Sequence, residues 1–253
     1  MRFIIVFALM ISTQQVFGWG QTGHRVVGEI AQSHLSELAQ AKINAILENQ
    51  TLAEVSNWMD NIKSDRAYDS LRNWHWVTIP DGMTYEETEK EEAGDIIAGI
   101  EYVVEKLKEG KLSADIEADF IKILVHLVGD VHMPLHVGNG EDRGGNKVEV
   151  EWFWQKSNIH RVWDSQMIDS KNYSYTELAT LLNRHNVLRI EEWQSTSVRD
   201  WAMECVSYRP QIYDLPEDKK INYEYRYKNW DLLCNQLRKG GIRLAGLLNE
   251  IYG

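Results

Sequence analysis

Residues 115–136 read DIEADFIKILVHLVGDVHMPLH, and the period of that stretch decides the fold class. Its apolar side chains recur at helical spacing, which predicts a strongly apolar helix over 115–132. Pro134 must end or kink that helix, because a proline lacks the backbone donor and crowds the preceding turn. Four polar side chains sit inside this apolar run: His126, Asp130, His132 and His136. One reading is a helix that buries one side and wets the other; the second is that the polar residues face a metal. His126 and Asp130 are spaced i, i+4 and share a helix face. His136 follows the break at Pro134 and can swing back toward that face from a loop. His132, six residues after His126, lies well round the helix.

Outward from this helix, helical patterns dominate. Apolar spacing of three and four marks 24–34 and 36–49, with Ser36 as an N-cap, and 53–63 opens or continues another helix. Further helices are predicted at 95–108, 175–184, 187–206 and 228–250. Two stretches read as extended: Trp74 to Ile79, ending at the turn Pro80-Asp81-Gly82, and Lys147 to Trp154, whose alternation suits a hairpin strand. The expected fold is mainly α, a single compact helical domain with a small β-hairpin. With 253 residues the chain can bury a core large enough to need no disulfide lattice.

The chain opens with Met1-Arg2, the apolar run FIIVFALMI, a short polar stretch and Gly18 before Trp19. A charged start, a short apolar centre and a small residue at the cleavage point describe a secretory signal over 1–18, leaving a domain over 19–253. The run is too short to span a bilayer comfortably and no later one is longer. A soluble, secreted or periplasmic protein starting at Trp19 follows. In an oxidising compartment Cys205 and Cys234 are expected to form one disulfide, two buried free thiols being the alternative. Asn49 and Asn172 head glycosylation sequons that matter only in a eukaryotic host. The formal charge of −11, without a Lys/Arg stripe, argues against nucleic acid as a partner. Bound divalent cations, which a sequence charge omits, can reverse that conclusion locally.

A second i, i+4 pair, His160 and Asp164, appears in NIHRVWD (158–164). Imidazole nitrogens and carboxylate oxygens are the ligands zinc takes where thiolates are absent. Cleavage after Gly18 would free an α-amino group on Trp19, able to chelate a metal together with its own carbonyl oxygen, with His24 adding a ligand. Taken together, WGQTGHRVVGEIA (19–31), WMDNIK (58–63), HWVTIPD (75–81), HLVGDVHMPLH (126–136), DRGGN (142–146) and NIHRVWD resemble the zinc-dependent S1/P1 nuclease family in content and order. The likeness covers Trp19 to about Asp164, and the remaining third matches only as generic helical sequence.

That resemblance implies a phospholipase C/P1 nuclease-like fold holding three zinc ions. One would be bound by Asp60, His75, His126 and Asp130. Another would take the Trp19 nitrogen and carbonyl, His24 and a shared Asp130; the third, His136, His160 and Asp164. Of the eight histidines, His34, His132 and His185 fall outside this set and default to structural or surface roles. The implied activity is endonucleolytic hydrolysis of single-stranded DNA and RNA to 5′-phosphate products, with 3′-nucleotidase activity. Hydroxide on the metal attacks phosphorus, oriented by Asp60, while Lys63 helps neutralise the phosphoryl oxygens. Trp76 would stack a base, with Thr78 and Asn146 beside it. Two positions depart from the usual pattern. Thr78 stands where the family often has Asp, which weakens base reading, and Lys63 where it often has Arg, which loses the bidentate fork. No stable protein partner and no membrane are implied, and the expected state is a monomer. The competing readings are a zinc-dependent phospholipase C, which usually ends the second pair in Glu where this chain has Asp164, and a secreted zinc-binding protein without catalysis.

Overall fold

A computed structural model of the chain describes residues 19–184 and 187–253. The expected signal over 1–18 and His185 lie outside the described residues. Among those described the fold is mainly α, with short strands and no closed sheet.

Helix α1, Gln21–Gln32, turns His24, Val27, Ile30 and Ala31 inward as one stripe. Ser36 caps α2, Glu37–Ile46, by accepting the Ala39 N–H, as expected of that residue. The predicted helix over 53–63 is two short ones, α3 at Leu52–Val55 and α4 at Trp58–Asn61, broken at Ser56-Asn57. A 3₁₀ turn over Ile62–Ser64 and a 3₁₀ run over Arg66–His75 follow. That run consumes Trp74 and His75, so the extended stretch shrinks to β1, Val77–Thr78.

Helix α5, Ile96–Glu109, is capped by the Asp95 carboxylate on two N–H groups. It packs on α6, Ala114–Val131, the element that organises the molecule. From Ile121 to Val131, every α6 residue but Lys122 is buried. Each of its large apolar side chains contributes about 1.5–3 kcal/mol on leaving water. Pro134 ends the helix, as predicted, by opening a 3₁₀ turn, Pro134–His136. Strand β2, Val137–Gly138, then pairs in parallel with β1, tying the chain after His136 to the chain after His75.

The hairpin is present as β3, Glu149–Trp152, antiparallel to β4, Gln155–Asn158. Next come α7 at Ile159–Arg161, a π-helical turn at Val162–Gln166, α8 at Met167–Asp169 and α9 at Tyr175–Leu182. The helix predicted over 187–206 is divided into α10, Val187–Gln194, and α11, Val198–Ser207, where Ser197 and Asp200 form a capping box. Short α12, Arg209–Ile212, leads to β5, Lys220–Ile221, parallel to β3. The chain finishes on α13, Tyr223–Tyr252, which packs along α1. A Cβ on Gly241 would lie 2.5 Å from the Ile30 side chain, so glycine sets how closely α1 and α13 approach.

The expected disulfide is not formed: Cys205 and Cys234 are both buried free thiols. Cys205 on α11 points its Sγ at the Val131 carbonyl and the Gln236 amide. Gln236 therefore marks the face of α13 turned toward Cys205. Cys234, two residues earlier, is rotated about 200° away on that helix. Burial pushes both thiols up to about 12.

Candidate metal centre

Nine positions were expected to supply ligands, and eight of their side chains belong to three His/Asp groups, buried except for the half-buried Asp60. The groups are His24, His126 and Asp130; Asp60, His75 and His126; and His136, His160 and Asp164, with the ligand atoms of each group within 4.8 Å of one another. Helix α1 brings His24, α4 brings Asp60, and the end of the 3₁₀ run brings His75. Helix α6 brings His126 and Asp130, the Pro134 turn His136, α7 His160, and the π turn Asp164. A π turn widens the helix locally and is frequent at functional sites.

Three of the five histidines are aimed by backbone carbonyls. His126 Nδ1 lies 2.8 Å from the Ser56 carbonyl, which the break between α3 and α4 releases from helical bonding. His160 Nδ1 lies 2.7 Å from the Gly144 carbonyl, and His136 Nδ1 contacts the His75 carbonyl. An Nδ1–H donated to a carbonyl fixes the tautomer that leaves Nε2 unprotonated, the form a metal needs.

Ligand-to-ligand distances test the fit. Two nitrogen or oxygen ligands at ~2.0–2.1 Å from a tetrahedral zinc sit about 3.3 Å apart. His24 Nε2 is 3.2 Å from Asp130 Oδ1, His126 Nε2 is 3.2 Å from Asp130 Oδ2, and His160 Nε2 is 3.3 Å from Asp164 Oδ2. His75 Nδ1 is 2.9 Å from Asp130 Oδ2 and 3.2 Å from His126 Nε2. The two Asp130 oxygens thus face different histidines, the geometry of a bridging carboxylate. Although fully buried, His24 Nδ1 and Nε2, Asp130 Oδ1 and Asp164 Oδ1 have no hydrogen-bond partner. Buried polar atoms left in this state are costly. Atoms close together yet misaligned for hydrogen bonding are what co-ligands of one cation look like. The donor set and its geometry fit zinc.

Charge balance agrees. Burial and neighbouring His126 push the His24 pKa down; burial also lowers His75, and takes His136 to about 4. For Asp130, burial works upward but is overcome by His126 and His136, which hold it well below the usual carboxylate range. The same contest lowers Asp60, where His126, Lys63 and His24 outweigh burial. His126 alone among these imidazoles is raised, Asp130 and Asp60 prevailing over burial. Asp164 goes the other way, pushed up to about 7 by burial. A dication beside it would restore the ionised form.

Trp19 is fully buried, and the next N–H, of Gly20, bonds the Asp164 carbonyl at 2.8 Å. The start of α1 therefore runs beside the π turn, along a depression that also includes Asp60. Lys63 sits on Asp60 with Nζ 2.5 Å from Oδ1. Next to the third group opens a cleft of about 410 Å³ lined by Trp76, Thr78, Arg143, Gly144, His136 and His160. Trp76 is 40% exposed there. Asn146 instead borders a neighbouring depression with Glu149 and Arg161, its amide donating to the Arg143 carbonyl. His132 is buried away from the groups, between Val128 and Arg243, and His34 bonds Asn183.

Sequence reasoning missed Gly129 and Arg143. A Cβ on Gly129 would lie 2.6 Å from His24 Nδ1, so only glycine lets α1 bring His24 against α6. The signal was a glycine inside an otherwise strong helix, which costs ~1 kcal/mol against alanine and calls for a packing reason.

Comparison with known proteins agrees with this geometry. The S1/P1 Nuclease family model matches residues 19–253. Endonuclease 2 of Arabidopsis thaliana is 27% identical over 286 aligned residues, covering 99% of this chain and 96% of its own. Nuclease S1 of Aspergillus oryzae is 29% identical over 178 residues, 67% of this chain and 61% of its own. Nuclease P1 of Penicillium citrinum is 24% identical over 267 residues, 93% and 98% respectively. The matched span takes in every one of the buried His and Asp side chains described above, and the chain belongs to the S1/P1 nuclease family, hydrolases of phosphodiester bonds in nucleic acids.

Proposed function

We propose that the protein is a zinc-dependent endonuclease that cleaves single-stranded DNA and RNA to 5′-phosphate products and also acts on 3′-nucleotides. The observation that carries this reading is the gathering of three His/Asp groups that share His126 and Asp130 or lie beside them, the third of which, through His136 and His160, lines a cleft with an exposed tryptophan. Each group would hold one zinc: Asp60, His75, His126 and Asp130 for one; His24, Asp130 and the Trp19 nitrogen and carbonyl for its neighbour; His136, His160 and Asp164 for the third. Bound zinc supplies a Lewis acid that polarises phosphoryl oxygen and lowers the pKa of water from ~16 to ~7.

The chain's own residues do the rest. Asp60, kept ionised by its cationic neighbours, accepts a hydrogen bond from the attacking water and orients it toward phosphorus. Lys63, held on Asp60, neutralises charge on the phosphoryl oxygens. Trp76 gives a base a face to stack on, worth ~1–3 kcal/mol and tolerant of sequence, which suits unpaired strands. Thr78 offers a single hydroxyl beside it and so a weak preference among bases. The working form is a secreted or periplasmic monomer beginning at Trp19; no helix among the described residues is long and apolar enough to cross a membrane.

The test is metal content and product analysis on protein starting at Trp19. About three zincs per chain, loss of oligonucleotide cleavage on chelation, recovery with zinc and 5′-phosphate ends are expected. Zinc binding without hydrolysis, or cleavage of phosphatidylcholine in preference to nucleic acid, would overturn the proposal.

A further inference from the structure

The cleft beside the third His/Asp group contains a cation that the reaction so far leaves unused. Arg143 lines it together with Trp76, Thr78, His136 and His160. Among the described residues no carboxylate pairs with its guanidinium, whereas Lys63, beside the first group, is held by Asp60. An exposed, uncompensated arginine at the mouth of a cleft is notable in a chain of formal charge −11.

Its backbone is built to hold it there. Arg143 adopts φ 57°, the left-handed region that a side chain other than glycine rarely enters. Residues kept in such conformations persist where their surroundings over-determine them, and they cluster at functional sites. Here the Arg143 carbonyl accepts from both the backbone and the side-chain amide of Asn146. Asp142, just before it, accepts from the Gly145 N–H on one oxygen and from the Tyr213 hydroxyl on the other. The following residue, Gly144, gives its carbonyl to His160 Nδ1 at 2.7 Å. One loop therefore both aims a proposed metal ligand and, from a fixed backbone, places Arg143 on the wall of the cleft beside it.

Resting on the nuclease reading above, we propose that Arg143 is a specificity-determining residue that binds a phosphate neighbouring the one cleaved, so that the enzyme favours strands over minimal phosphodiesters. Guanidinium geometry matches two phosphate oxygens at once, and the contact adds a cation to a surface that would otherwise repel a polyanion. A single nucleotide or a small diester has no neighbouring phosphate and gains nothing from it.

The experiment compares wild type with Arg143→Ala and Arg143→Lys. On a short single-stranded oligothymidylate, Arg143→Ala is expected to raise KM roughly tenfold and leave kcat within about twofold, as loss of one uniform binding contact does. Hydrolysis of bis-p-nitrophenyl phosphate and zinc content should match wild type. Arg143→Lys should restore the salt slope and part of the lost KM, since it keeps the charge and loses the two-pronged contact. Binding of a fluorescent oligothymidylate to EDTA-treated protein gives a second readout. The slope of log Kd against log salt should fall by ~0.7 in Arg143→Ala, the value for one phosphate contact on a single strand. An unchanged KM and salt slope in Arg143→Ala overturns the proposal, as does failure of lysine to restore either, which would point to base stacking by the guanidinium. Wild type that cleaves neither substrate sinks the nuclease reading instead, and the binding slope still decides the role of Arg143.

Discussion

At the scale of single residues, the centre depends on one hydrogen atom where a methyl group would stand. Gly129 lies between His126 and Asp130 on α6, and its missing Cβ is the space His24 Nδ1 occupies. Gly129→Ala sets two effects against each other. Alanine favours the helix by about 1 kcal/mol, whereas crowding a packed interior costs ~1–3 kcal/mol. A contact of 2.6 Å with a ring that cannot compress means crowding wins. The expected outcome is His24 displaced, a lower urea midpoint and fewer zincs per chain, read by denaturation and metal analysis; full zinc content would show that α1 can yield. The i, i+4 pairs His126–Asp130 and His160–Asp164 were legible because one period places two side chains on one face. Gly129 and Arg143 were not, because their roles come from what another element brings against them. The same holds for Ser56, whose carbonyl is free for His126 only because two short helices break there.

The element that joins these residues is α6, and its C-terminal end is anchored away from the metal groups. His132 donates Nδ1–H to the Val128 carbonyl and accepts from Arg243 on α13; Arg243 also binds Glu204 on α11 at 2.9 Å. Burial and Arg243 push His132 down to about 3. An unfolded histidine titrates near ~6.5, so below that pH the unfolded chain takes up a proton the folded chain refuses. Stability from His132 is therefore complete above ~6.5 and falls as pH drops toward 3. His24, His75 and His136 act with the same sign. His132→Gln, whose amide can still donate to Val128 and accept from Arg243, should thus flatten the slope of unfolding free energy between about pH 4 and 6.5 without abolishing it. Denaturant titrations of EDTA-treated protein measure this, and an unchanged slope would show that His132 is not the buried neutral group described. Helix identity on this scale was readable from apolar period, and Ser36 and Pro134 marked real boundaries. The division at Ser56-Asn57 escaped because apolar spacing continues across it, from Val55 to Trp58 and Met59; the polar run over 194–197 did interrupt the spacing but is short enough to be bridged by one helical turn. The thiols misled for a related reason: two cysteines in a chain suggest a bridge, but which face of α13 each neighbour meets is set only by packing.

Across the whole molecule, the groups gathered at the centre come from a long reach of chain, from His24 on α1 to Asp164 in the π turn, while α9 to α13 supply none of them and form the support. Metal bound there would link α1, α4, α6 and α7 at once, so its loss should be felt globally. Ligand that binds only the folded chain stabilises by RT ln(1 + [L]/Kd), about 2.7 kcal/mol at a hundredfold excess over Kd. The first described residue is the sensitive point in this arrangement. Trp19 is fully buried, and Gly20 is fixed to the Asp164 carbonyl, so the nitrogen of residue 19 has little freedom to move. As a free amine it is a donor to zinc; within a peptide bond its lone pair is delocalised and its proton retained, and it is not. Protein that keeps residues before Trp19, whether an uncleaved leader or a tag, should therefore carry roughly one zinc fewer and gain less Tm from added zinc. It should also cleave oligonucleotides far more slowly than protein starting at Trp19. Metal analysis, thermal melts with and without zinc, and N-terminal sequencing of the same preparations make the comparison direct. Equal zinc content and equal rates in a preparation shown to retain Gly18 would remove the amine from the ligand set and leave His24 and Asp130 to hold that ion without it.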